Sequence, residues 1–450
     1  MSHKKIIPQV KGQFLLGNLR EFKADAFQAL CHWQRDYGDI VGFKLARQQL
    51  YLFSHPRLIE QALIKQSDVF VKMYDAKNPK GLALILGQGL VTSQGDLWRR
   101  QRRIMQPVFQ RSNLTNMFEQ MVTAGQHTLS RWEILGDNAE VNLADEMMQL
   151  TLEVITQTMF STSVLGDIKK IAPALDTGLR YAAKTVANPL TLPLCIPTPA
   201  NQKFKHASAL LDDVIYGIIA QRRQDPTPKN DLLAMLLKAN DAESGEKMTD
   251  QQIRDEVITI FSAGHETTAN LLTWTLYLLA KHPTVLAKVQ GELASLQGKV
   301  PDEADLQALV YTRAVLNESM RFRPPVGLIM RKVNKETEID GYTLKANSLV
   351  MFSIYNLHHH ADFWDKPEEF NPDRFLTAEK RRYTFMPFGT GERICIGNHF
   401  ALMESQLLLS MILQKYELQL VSTEEVEIEM AVTLRPKGGI PVRLKPRSCF

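Results

Sequence analysis

Helical periodicity dominates the 450-residue chain and predicts a mainly α protein with small β-sheets, a single domain over residues 1–450 built on a long central helix. Three observations carry this. Apolar residues recur at helical spacing in segments that proline and glycine separate. Alternating or β-branched runs are few and short. The stretch from about Asp250 to Lys281 keeps its helical pattern far longer than an ordinary helix does. No Gly/Ser-rich or Pro-rich linker divides the chain into independent units, and no internal repeat is evident.

The elements follow in order. The first thirty residues hold no apolar run of the roughly 20 needed to cross a bilayer. Lys11, Gln13, Asn18, Arg20 and Glu21 interrupt every short apolar stretch, so neither a membrane anchor nor a signal peptide is expected and the protein reads as cytoplasmic. Ile40 to Lys44 and Gln49 to Phe53 alternate as strands do. In WRRQRR, Trp98 and Arg102 are four apart and share a helical face.

The central helix opens at Thr249, with Gln252 three residues on as a capping box, and closes before Pro283. At 1.5 Å per residue it is roughly 45 Å long. Its middle holds Ala263 and Gly264; glycine there costs about 1 kcal/mol relative to alanine, so a packing or ligand reason is expected. Strand signals return over Lys332 to Val350, with a turn at Asp340 and Gly341, and over Val426 to Leu444, where Gly438 and Gly439 mark a hairpin. The run His358, His359, His360 looks like a metal tract, but consecutive side chains point in different directions, and a solvated loop is the expectation.

Composition excludes several classes. With 44% hydrophobic and 23% charged residues the chain is globular and buries a substantial core. A net charge of +4 argues no nucleic-acid binding. Cys31, Cys195, Cys395 and Cys449 are scattered, without the paired spacing of a zinc site or disulfide framework, which fits a reducing compartment.

The chemistry concentrates at Phe388 to Gly397, FGTGERICIG. Two glycines permit tight turns, a lone cysteine follows, and an amphipathic helix begins almost at once, placing a sulfur at a helix N-terminus. Partial positive charge there favours thiolate over thiol, and a coordinated iron favours it more. A cysteine standing alone is ordinarily a small buried apolar residue. This one sits in a pattern: Phe388, Gly391, Arg393, Cys395 and Gly397, then Ala401 and Glu404, fall at the offsets of the cysteine-ligand signature of the cytochrome P450 family, which the chain therefore resembles. A chance match at so many fixed positions is rarer than about one in a thousand.

Further landmarks fit the resemblance. Glu318 and Arg321 share a helical face; alone they would be a surface pair contributing under about 1 kcal/mol. They are similar to the family's Glu-x-x-Arg motif, and NPDRF at 371–375 to its partner segment, which implies a buried network of Glu318, Arg321 and Arg374. AGHETT at 263–268 resembles the oxygen-binding motif, implying Glu266 as the acid and Thr267 as the hydroxyl that deliver protons to dioxygen, with Ala263 and Gly264 as the groove beside them. His265 is expected to be structural. For the haem propionates the resemblance implies Trp98, Arg102, Arg331 and Arg393, guanidinium forks suiting carboxylates better than lysine.

The resemblance thus implies a cytochrome P450 fold and a haem-thiolate mono-oxygenase using haem b, with Cys395 as iron ligand and dioxygen as co-substrate. No reductase or ferredoxin domain is fused, so electrons from NAD(P)H would come through a separate ferredoxin or flavodoxin with its reductase. Arg99, Arg100, Arg103, Lys380, Arg381 and Arg382 are expected to form a basic docking surface. A peroxide-driven hydroxylase of the same fold typically replaces the acid-alcohol pair, which is retained here; a haem gas sensor needs neither that pair nor a partner surface. Segments expected to line the substrate pocket, Leu82 to Leu86, Val91, Phe261, Ala263, Val326 to Ile329 and Val432, are apolar, which favours a hydrophobic molecule such as a fatty acid or terpenoid.

Overall fold

A computed structural model describes the chain except residues 1–4, 74–78, 161–164, 188–190, 226, 228, 230, 242, 378–381 and 448–450. The chain groups into two compact units, each assembled from three separated stretches. The first comprises Met1–Met73, Ala314–Cys395 and Glu427–Lys437; the second comprises Tyr74–Arg313, Ile396–Val426 and Gly438–Phe450.

The first unit is built on a five-stranded sheet. Its order is Ile40–Leu45, Gln48–Phe53, Leu349–Ser353, Leu328–Val333, Phe70–Val71. The second and third strands run parallel and the other neighbours antiparallel. Side chains alternate with the period of two that a pleat demands. Val41, Phe43, Leu50 and Leu52 pack with Trp33 and Leu30 on one face, while Ile40, Tyr51, Phe53 and Phe352 pack with Leu58 and Ile59 on the other. Asp340 and Gly341, both at positive φ, turn the hairpin between Thr337–Ile339 and Tyr342–Leu344 as expected.

The C-terminal hairpin differs from its expectation. Ile428–Met430 pairs with Leu434–Pro436 around residues 431–433. Gly438 and Gly439 instead carry the chain out of that hairpin, since the next strand, Pro441–Pro446, belongs to another sheet. That sheet, in the second unit, sets Pro441–Pro446 between Glu140–Asn142 and Tyr416–Leu420. A side chain on Gly439 would collide with Asn142 at 2.2 Å, and this close approach is the reason for glycine.

The second unit is otherwise helical. Its axis is the helix Asp250–Lys281, capped by Thr249 and Gln252 in the reciprocal capping box the sequence foretells. Most of its length is buried, because helices Leu143–Phe160 and Asn398–Lys415 pack along it. Gly264 has a packing reason: a Cβ there would meet Ile155 Cδ1, of helix Leu143–Phe160, at 2.7 Å.

Candidate active site

The cysteine loop belongs to the first unit and is shaped by its glycines. Gly389 and Gly391 adopt φ of +71° and +72°, and a Cβ on Gly391 would also stand 2.8 Å from the Leu63 carbonyl oxygen. Glycine is thus required at 391 twice over. Within this turn the Cys395 amide donates to Phe388 O at 2.9 Å and the Ile394 amide to Gly391 O at 3.1 Å, leaving the Cys395 residue exposed. The sulfur precedes the helix rather than capping it: Gly397 takes the N-cap of Asn398–Lys415, and Ala401 donates to Gly397 O at 2.9 Å.

The same unit holds the network of Glu318, Arg321 and Arg374. Glu318 and Arg321 are fully buried. Arg321 Nε and Nη2 grip the carboxylate at 2.7 and 2.8 Å, and the guanidinium also donates to the carbonyls of His358, Pro367 and Glu369. Glu318 Oε1 further accepts Arg374 Nε at 3.1 Å and the Asn371 amide at 2.8 Å.

His358 connects this network to the loop. Its ring is fully buried; Nδ1 lies 3.3 Å from Met320 O, and Nε2 accepts the Met386 amide at 2.9 Å. An accepting Nε2 requires the neutral ring, and burial, helped by the Arg321 charge, pushes His358 down to about 3. The expected solvated histidine loop is therefore corrected. His358 ends the short helix Ile354–His358, His359 stacks on Tyr355, and His360 Nε2 meets Asp39 at 2.9 Å. The three rings diverge as consecutive side chains should, and no metal-holding cluster occurs among the described residues.

The first unit also gathers cations. Arg331, on strand Leu328–Val333, is buried, and its guanidinium is lowered to about 10 chiefly by that burial, with Glu392 acting against the shift. Lys72, just past strand Phe70–Val71, has its ammonium pushed well below the usual lysine range by burial and then by Arg331 and Arg393. Three positive groups thus converge in the unit that carries the cysteine. A lone lysine after a two-residue strand gives no signal in the sequence, because the influence of Arg331 and Arg393 on it depends on the fold. This donor set, an exposed cysteine with cations in the same unit, fits a dianionic iron macrocycle.

The second unit holds the rest. Along the buried central helix Ala263 is exposed and Gly264 half-buried, whereas Phe261, His265 and Glu266 are buried. Thr267 Oγ1 donates to Ala263 O at 2.6 Å. Thr151 Oγ1, from helix Leu143–Phe160, donates to the His265 carbonyl at 3.0 Å and supports the helix beside Glu266. His265 Nδ1 lies 3.1 Å from Phe261 O, and burial brings its pKa down to about 4, a neutral structural ring. Glu404, on Asn398–Lys415, is buried and raised well above the carboxylate range, with a hydrogen bond to Thr268. Trp98 is buried and Arg102 half-buried on helix Gly95–Met105, four apart as expected.

The basic surface is less basic than its composition. Arg99 pairs with Asp96 at 2.7 Å, Arg100 with Glu246 at 3.2 Å, and Arg103 with Asp241 and Glu243 at 3.2 and 2.9 Å. Arg382 donates to Tyr383 Oη, and Lys380 and Arg381 lie outside the described residues.

A glycine-turned cysteine loop, a buried Glu-Arg-Arg network in the same unit and an acid-alcohol pair in a long helix are the marks of the haem-thiolate oxygenase class. The family model of cytochrome P450 matches residues 8–442, and the chain belongs to the cytochrome P450 family. It is 32% identical to cyclooctat-9-en-7-ol 5-monooxygenase of Streptomyces melanosporofaciens, over 85% of this chain and 83% of that protein. It is likewise 32% identical to pentalenene oxygenase of Streptomyces avermitilis, over 92% of this chain and 91% of that protein. The chain is thus a mono-oxygenase, an oxidoreductase that uses haem iron and dioxygen. No helix among the described residues is long and apolar enough to cross a membrane.

Proposed function

We propose that this enzyme inserts one oxygen atom into an uncharged, terpenoid-like hydrophobic molecule, with Cys395 as the thiolate ligand of the haem iron. The observation that carries the reading is the exposed cysteine loop in one unit with Arg331, Arg393 and Lys72. When bound, haem supplies the activation of dioxygen. The chain's own residues do the rest. In the first unit Arg331 and Arg393, joined by Lys72, are the propionate-binding positions, and in the second unit the resemblance gives that role to Trp98 and Arg102; Phe388 and Gly397 bound the ligand loop; Ala263 and Gly264 form the groove in the central helix. Glu266 and Thr267 hold and direct protons beside that groove.

The substrate class follows from the segments that the family resemblance assigns to the substrate pocket. Leu82 to Leu86, Val91, Phe261, Val326 to Ile329 and Val432 carry no charged side chain. A fatty-acid carboxylate would need a cation among them, whereas a terpene or its alcohol does not. The names of the two Streptomyces relatives point the same way. Electrons come from NAD(P)H through a separate ferredoxin or flavodoxin with its reductase, in the cytoplasm.

The test is reconstitution with a ferredoxin, its reductase, NADPH and dioxygen on pentalenene, cyclooctat-9-en-7-ol and palmitate, with peroxide alone as a parallel arm. Oxygenated terpenoid formed only with the electron-transfer chain is expected. Palmitate turned over in preference refutes the substrate class, and equal rates with peroxide alone refute the electron route.

A further inference from the structure

The turn Gly87-Gln88-Gly89-Leu90 joins the apolar segment Leu82 to Leu86 to Val91, and nothing in the reaction chemistry accounts for its two glycines. In the second unit it rests directly on the start of the central helix. A Cβ on Gly87 would stand 2.3 Å from both Asp255 carboxylate oxygens, and one on Gly89 would stand 2.0 Å from Thr259 Oγ1. Only glycine lets the backbone come this close.

At that approach the Gln88 amide donates to Asp255 Oδ2 at 2.8 Å and the Leu90 amide to Glu256 Oε2 at 2.9 Å. Arg254 completes the contact: Nη1 donates to Ile85 O at 3.1 Å and to Asp255 Oδ1 at 3.0 Å, while Nε holds Asp212 at 2.7 Å. From helix Gly95–Met105, Gln101 Nε2 donates to Gln88 O at 2.9 Å.

Two adjacent acids are buried to make this contact, Asp255 at 3% exposure and Glu256 at 0%. Burying carboxyls is costly, and a four-residue connection could satisfy its amides in water. Glu256 Oε1 and Thr259 Oγ1 are moreover buried with no hydrogen-bond partner among the described residues. Such an arrangement lowers stability where it stands, so its benefit lies in holding the turn in one place.

We infer that Asp255 and Glu256 are positioning residues: by accepting the Gln88 and Leu90 amides they latch the turn to the central helix and fix the Leu82 to Val91 segment, which sets the size of hydrophobic molecule admitted. The inference rests on the proposed lining of the substrate site by that segment. Glu256 lies on the helix at i−7 from Ala263 and Thr259 at i−4, so the latch and the groove share one helical face.

The experiment uses the haem-loaded enzyme and two nitrogen ligands of different bulk, imidazole and clotrimazole, titrated by the Soret shift. In Glu256→Leu the Leu90 amide loses hydrogen-exchange protection by at least about tenfold. Clotrimazole then gains at least about fivefold in affinity relative to imidazole, because the open segment is populated more often. Glu256→Gln keeps an acceptor oxygen and stays within about twofold of wild type. Gly89→Ala, whose methyl lifts the turn off Thr259, reproduces the leucine effect with both acids in place, and it carries the test should Glu256→Leu fail to fold. An unmoved affinity ratio in Gly89→Ala, or loss in Glu256→Gln equal to that in Glu256→Leu, overturns the latch. Failure of imidazole to shift the wild-type Soret band overturns instead the haem site on which it rests.

Discussion

Glu318→Ala tests how the first unit holds its cysteine loop. The carboxylate is fully buried and accepts four hydrogen bonds, two from Arg321, one from Arg374 and one from the Asn371 amide. Its removal leaves the equally buried Arg321 guanidinium without its counter-charge, which costs about 3 to 5 kcal/mol. The orphaned Asn371 amide adds about 1 to 3 kcal/mol. The loss is comparable to the whole margin of a domain, about 5 to 15 kcal/mol. It also travels: Arg321 Nη1 steadies the His358 carbonyl, and the His358 ring anchors the Met386 amide two residues before Phe388. Glu318→Ala is therefore expected to yield protein largely without haem and with a much lowered urea midpoint. Glu318→Gln, which keeps an acceptor, falls between. Haem-to-protein ratio and urea titration read the outcome; normal haem content and midpoint in the alanine variant, with turnover merely slowed, would refute the reasoning.

Cys395→His abolishes the red-shifted thiolate band of the reduced, carbonyl-bound enzyme, and persistence of that band moves the ligand elsewhere. Thr267→Ala keeps the helix, alanine being a better helix former, but lowers product formed per NADPH consumed and raises peroxide; an unchanged ratio removes Thr267 and Glu266 from proton delivery. Burial, helped by the Asp255 charge and opposed by the Leu90 amide, raises the Glu256 carboxyl to about 8. Between its unfolded value near 4.5 and about 8 the unfolded chain releases this proton while the native state keeps it, so stability falls as pH rises through that window, by at most about 5 kcal/mol. Glu256→Gln removes the penalty, and its unfolding midpoint relative to wild type should climb from pH 5 to pH 8.5; a constant difference contradicts the raised value. Because Arg99, Arg100 and Arg103 already pair with Asp96, Glu246, Asp241 and Glu243, added salt should slow reduction by an acidic ferredoxin by less than about tenfold, and a steeper fall means the arginines leave those partners.

What the sequence shows and hides follows from the range of the interactions. The helix Asp250–Lys281 was legible to its ends because Thr249, Gln252 and Pro283 act within one turn. The Asp340-Gly341 turn was legible for the same reason. Gly438 and Gly439 were read as a hairpin, since positive φ is visible in composition while the partner strand is not: Pro441–Pro446 pairs with Glu140–Asn142, some three hundred residues away. His358 looked solvated until Met320, Arg321 and Met386 enclosed it. Arg100 and Arg103 of WRRQRR look like a free basic patch in the sequence because their acids, Glu246, Asp241 and Glu243, lie some 140 residues on, whereas Asp96, the partner of Arg99, is local. Local rules reveal elements and motifs; the charge state and partners of a side chain depend on what the fold brings to it.

Lys72 shows how far that dependence reaches. Desolvation first, and then the charges of Arg331 and Arg393, push the half-buried Lys72 ammonium well below the usual lysine range. Arg331, lowered only to about 10, stays charged at neutral pH. A dianion set among these groups reverses the balance and raises the ammonium again. An anionic cofactor bound there would add its binding free energy to the stability of the unit that carries Cys395.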